Sequence, residues 1–246
     1  MGIHMHKLIL ICAFCLLAVI SLISGCAEVQ VQQPAAEQSA AQSPSTELPT
    51  PLAIFPFENN AVTRHEEYEP LTGGLAAMLI TDLRHDAANL KIIERNRIKD
   101  VLQEIDLSQS GYVDQATALR IGKLLGARSI AFGSFVVLGE QVRIDARLVN
   151  VETSETILAE SISGTTEQFL QLEKKLADKI AGAFQERLAS SQAPASANTM
   201  NAALAFSKGL EALDRGDRQG AEKYFQKTIE LDPGFTRQVE SARLAK

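Results

Sequence analysis

The chain has 246 residues, of which 46% are hydrophobic, 22% charged and 5% aromatic, with a formal net charge of −6 and no tryptophan. This composition suits a globular protein and excludes collagen-like and wholly disordered chains. With 24 basic against 30 acidic side chains there is no basic field to hold nucleic acid, so no nucleic-acid partner is expected.

The chain opens on a short segment with one charge, Lys7, followed by LILICAFCLLAVISLI at 8–23. A spanning helix needs roughly 20 apolar residues, so this shorter run reads as a secretory signal. It ends in LISGC, with Gly25 before Cys26. That pattern resembles the bacterial lipobox. The resemblance implies cleavage before Cys26, a diacylglycerol on its thiol and an N-acyl chain on the new amino terminus. No other cofactor is expected. Cys12 and Cys15 lie inside the signal, so the mature body would hold no further thiol, which fits an oxidising periplasm. Three acyl chains exceed the two signals that stable anchoring takes. Ala27 follows the cysteine where an Asp would mark retention in the inner membrane. By resemblance to that sorting rule, the expected site is the outer membrane, facing the periplasm. Residues 26–51, rich in Gln, Ala, Ser and Pro, read as a lipidated cysteine and its tether.

From residue 52 the pattern alternates strand and helix. LAIFPF at 52–57 is a short buried strand, with Pro56 at its edge. Leu71, Leu75, Met78, Leu79 and Leu83 share one helix face. Gly73 and Gly74 are expected to let that helix approach the sheet. LKIIER at 90–95 predicts a second strand, and Ile98, Val101, Leu102 and Ile105 a second helix. Asp114 is a candidate N-cap for a helix ending at Gly126. Residues 128–163 predict three strands joined by tight turns, the middle one alternating Val142, Ile144, Ala146 and Leu148 with Arg143, Asp145 and Arg147. Phe169, Leu172, Leu176, Ile180, Ala183, Phe184 and Leu188 predict a long amphipathic helix. The expected fold is α+β over 52–188: one mixed sheet ending in an antiparallel meander, with helices packed on it.

AIFPFEN, GGLAAMLITDL, IIERNRIKDVLQEIDLSQSG, ATALRIGKLLGARSIAFGSF and IDARLVNVETSETI occur in this order. The run resembles the CsgG family, the curli-secretion lipoproteins, whose fold is similar to the amino-terminal domain of TolB and to the lipoproteins FlgO and LpoB. Glu94-Arg95, the KLLGA turn at 123–127 and Gly133-Ser134 carry most of the match. The resemblance implies contacts with envelope protein partners and allows a homo-oligomer. A secretion pore of this family inserts membrane-crossing hairpins, each strand adding about 9–11 residues. The turns within 128–163 leave no room for them. A non-enzymatic scaffold or regulator of an envelope machine is therefore expected, with a curli-type channel or ring component as the alternative.

Residues 189–200 read as a linker. In 201–235, Gly209, Ala221, Phe225 and Pro233 match the small, small, aromatic and Pro positions of a tetratricopeptide repeat. The resemblance implies a helical hairpin. One repeat cannot bury its own face, so it is expected to pack on the domain, on another copy or on a partner, with Phe206, Leu210 and Leu213 on its inner face as candidate partner-binding residues if it binds one. Residues 236–246 remain as a tail.

No catalytic constellation stands out. His65 lies beside Glu66 and Glu67, which suits a solvated loop better than a metal site, and His85 suits a helix end. Ser134 and Ser163 lie in no G-x-S-x-G elbow. Asp82, Asp100 and Glu104 read as solvated charges on helix faces. Glu94 or Arg95 is expected to be ion-paired where strand turns into helix.

Overall fold

The computed structural model describes residues 50–87, 89–105, 114–185 and 196–244, all within one unit, Thr46–Lys246. The signal, Cys26, most of the tether and Leu188 lie outside the described residues.

The apolar run at 52–57 forms one short strand, β1 (Leu52–Ile54), and a second, β2 (Glu58–Asn59), follows directly after it. Both run parallel to β3 (Ser129–Leu138) along one of its edges. Pro56 sits in the break between them, where a missing N–H costs the ladder nothing. β3, β4 (Gln141–Asn150) and β5 (Thr156–Thr165) form the expected antiparallel meander. Their turns are residues 139–140 and 151–155.

The strand predicted at 90–95 is corrected. Ile92 makes a single parallel bridge to Leu52, supported by Leu52 N–H to the Lys91 carbonyl at 2.8 Å and Ile93 N–H to the Leu52 carbonyl at 2.8 Å. Glu94 is already the extended N-cap of the next helix, so no ladder has room to grow.

The helices are α1 (His65–Tyr68), α2 (Leu71–Asp86), α3 (Arg95–Glu104), α4 (Gln115–Leu125), α5 (Phe169–Ala183), α6 (Thr199–Asp214), α7 (Arg218–Leu231) and α8 (Thr236–Leu244). Asp114 does cap α4, accepting from Thr117 N–H at 2.7 Å. α4 ends at Gly126, whose φ of 69° favours glycine. The predicted C-terminal tail contains α8. Val239 and Ala242, three residues apart on one face of α8, are buried together with Phe235 of the turn just before it.

Alternation along β3 divides the core. Ala131, Phe135 and Val137 join a large cluster with α2, α5, α6, α7 and α8. Ile130 and Phe132 join a smaller cluster with α3 and α4 on the opposite face. Gly74 does permit a close approach, but to α6 and not to the sheet. A Cβ there would lie 1.8 Å from Ser207 Oγ, while one at Gly73 would meet open space.

The Asp82 expectation is also corrected. Asp82 is 2% exposed. Its carboxylate accepts from Lys174 Nζ at 3.0 Å and from Gln238 Nε2 at 2.9 Å, tying α2 to α5 and α8. Arg237 adds a bond to Asp86 at 2.8 Å. Glu173 lies beside this network and is fully buried. Burial first, and then the Asp82 charge, push its carboxyl well above the usual range and favour the protonated form.

Candidate interaction surface

The residues singled out on the hairpin face inwards. Phe206 is 1% exposed and Leu210 4%, and Leu213 is partly buried against the same core. Phe206 packs against Phe225 and Phe235, with ring centroids 6.0 and 6.3 Å away. Gly209 admits the Phe225 ring, since a Cβ there would stand 2.5 Å from it. This surface is therefore covered by the chain itself, through α7 and α2.

The sheet offers a different surface. α3 and α4 cover only the end of their face that carries Ile130, Phe132, Val149 and Val151. Beyond them, among the described residues, the strands lie open. β3 contributes Ser134, Val136 and Leu138, and β4 contributes Arg143, Asp145 and Arg147. Opposite these on β5 stand Ser163, Ser161 and Ala159, all exposed.

The first edge continues past β2. Asn60 N–H reaches the Phe135 carbonyl at 2.8 Å, and Val62 N–H reaches the Val137 carbonyl at 3.3 Å. This register brings Val62 beside Leu138. The two side chains are 68% and 57% exposed, an apolar end to an otherwise polar face.

Arg143 forms a two-pronged pair with Asp145, with Nε and Nη2 both within 3.0 Å of carboxylate oxygens. The Arg143 hydrogen bonds first, with help from Ser161 and Arg147, hold the Asp145 carboxyl below the usual range against its partial burial. The same pair raises the Arg143 guanidinium. Arg147 projects from the next open position of the strand and is exposed. Apolar side chains beside guanidinium groups suit a protein surface that offers both apolar contact and carboxylates.

Glu94 and Arg95 are both ion-paired, as the strand-to-helix turn suggested. Glu94 pairs with Arg84. Arg95 clamps Asp214 of α6 with bonds of 3.0 and 2.5 Å, and Lys99 approaches at 3.3 Å. Burial pushes the Asp214 carboxyl up, but these cations outweigh it and hold it below the usual range. The clamp closes one side of a cavity of about 260 Å³ between α2, α3 and α6, lined by Gly73, Ser207 and Lys99 among others.

His65 is engaged by Asn59, which donates to the His65 carbonyl at 2.8 Å while its own carbonyl stands 3.0 Å from the ring Nε2. His85 lies 2.7 Å from Asp86. Among the described residues no group of His, Cys, Asp and Glu is placed to hold a metal, and no helix is long and apolar enough to cross a membrane.

Residues 33–143 match the family model described as curli production assembly/transport component CsgG. This is the family that the run from AIFPFEN to GARSIAFGSF resembles. The Tol-Pal system protein TolB of Pseudomonas fluorescens is 28% identical over 148 residues, covering 56% of this chain and 30% of that protein. The chain thus spans about a third of the length of the curated relatives it matches. Among solved structures, the LpoB C-terminal domain from Salmonella enterica aligns at 18% identity, covering 46% of this chain and 81% of that one, with a TM-score of 0.35. Lipoprotein GNA1162 from Neisseria meningitidis aligns at 14% identity, covering 55% of this chain and 99% of that one, with a TM-score of 0.38.

Proposed function

We propose that the chain is a non-enzymatic lipoprotein on the periplasmic side of the outer membrane. Acyl chains on Cys26 hold it there, and the tether lets the folded unit reach its partner. It scaffolds or regulates an envelope assembly or secretion machine through protein contacts. The lipobox ending at Cys26 and the CsgG match over residues 33–143 support this reading. The observation that carries it is the open half of the sheet, where Val62 and Leu138 stand exposed beside the Arg143–Asp145 pair and Arg147. A second reading is a subunit of a ring or channel. Its support is the family description, which names a transport component.

The Cys26→Ala variant tests the anchoring. The unsubstituted protein is expected to pellet with membranes, take up labelled palmitate and lose the mass of its signal. The variant is expected to keep the precursor mass and take up no label. Normal labelling of the variant, or a soluble unlabelled parent protein, would overturn the lipoprotein reading.

A further inference from the structure

The outer edge of the sheet is β5, the last strand in the order β1, β3, β4, β5. We propose that a second copy of the chain occupies this edge, the two β5 strands pairing antiparallel about a two-fold axis through Ser161.

The register at the β3–β4–β5 corner fixes which backbone groups are free. Thr166 N–H donates to the Glu140 carbonyl at 2.8 Å, one step beyond the Gln141–Thr165 pair. Antiparallel pairs alternate between those that exchange bonds and those that do not. Leu158, Glu160, Ile162 and Gly164 therefore turn their N–H and C=O groups towards β4. Ala159, Ser161 and Ser163 turn theirs outwards, and no backbone bond among the described residues takes them up.

The strand also lacks the usual guards of an edge. It is ten residues long, TILAESISGT, with no Pro and no Lys. Its one charge, Glu160, is directed at Lys179 on α5, 3.5 Å away.

A second copy fits this edge by symmetry. A two-fold axis through Ser161 sets Ser161 opposite Ser161 and Ala159 opposite Ser163. Three residue pairs would each exchange two backbone bonds, and all the side chains there are small. On the covered face Glu160 meets Ile162, and Leu158 meets Gly164, so no like charges oppose each other. An axis through Glu160 would set two carboxylates face to face. It would also call on backbone groups already spent on β4. Isologous pairing of this kind is the commonest form of oligomer. Joined edges would make the two open faces continuous.

The test measures mass, by light scattering and native mass spectrometry, on the full chain extracted in mild detergent. The expected mass is two chains. Ser161→Lys and Ser161→Glu would each place like charges opposite each other at the axis. Each alone is expected to halve the mass while leaving the circular dichroism unchanged. An equimolar mixture of the two variants is expected to restore two chains, one of each kind. Single chains in the unsubstituted protein, a closed ring of more than two, or full pairing by Ser161→Lys alone would overturn the proposal. Failure of the mixture to pair would overturn it as well.

Discussion

Phe206→Ala is expected to destabilise the whole unit by about 3–5 kcal/mol, the range for deleting a buried aromatic ring. Phe206 is 1% exposed, and its ring joins those of Phe225 on α7 and Phe235 just before α8. The same continuous core runs through Leu75 on α2 to Phe169 and Leu176 on α5. Loss of the ring leaves a cavity shared by the hairpin and the sheet's helical layer. Urea unfolding followed by circular dichroism is expected to remain a single transition, displaced to lower urea. Two transitions, with the hairpin melting first and the rest unchanged, would contradict a shared core. An unchanged midpoint would return Phe206 to the role of a partner-binding residue.

Gly133→Ala is expected to be at least as damaging, more than about 3 kcal/mol and so above the ordinary range for overpacking. A Cβ at this position would lie 2.0 Å from the Asp145 carbonyl oxygen and 2.9 Å from Ala146 Cα. Both atoms belong to the backbone of β4, so no rotamer change relieves the clash and β3 must part from β4. The open face depends on that pairing, because Arg143, Asp145 and Arg147 are held in register by it. Gly73→Ala is the matched control. It meets nothing within 4 Å and lies in α2, where Ala is favoured over Gly by about 0.5–1 kcal/mol. The urea midpoint is expected to fall steeply for the first variant and to hold or rise for the second. Parent-like stability of Gly133→Ala would contradict the close approach of the two strands.

The meander was legible because its signal is local. Val142, Ile144, Ala146 and Leu148 alternate with charged side chains, and both turns are short. The Asp114 cap and the Gly126 end of α4 were legible for the same reason. Glu94-Arg95 was legible as an ion-paired turn, although the distant partner Asp214, 119 residues along the chain, was not.

Features that depend on tertiary packing were missed. LKIIER has the composition of a strand, yet the helix cap at Glu94 leaves Ile92 a single bridge. Asp82 carries a charge on a helix, but its neighbours on α5 and α8 bury it. The sequence left the hairpin's apolar face to the domain, a second copy or a partner, because nothing local shows that Gly74 brings α2 against Ser207. The open face was half legible. Alternation on β4 indicated a wet face, but the exposed pairing of Val62 with Leu138 depends on an edge that resumes after Pro56.

Protein contacts made through the open half of the sheet would place a partner within reach of Leu138. Their most direct measurement is photocross-linking in cells, with a light-activated residue placed at Leu138 or, as control, at Tyr224. Both positions are exposed, and Tyr224 lies on α7, outside the open face. A discrete covalent adduct with an envelope protein is expected from position 138 and none from position 224. No adduct from 138 in membranes that contain the acylated protein, or the same adduct from both positions, would contradict such contacts.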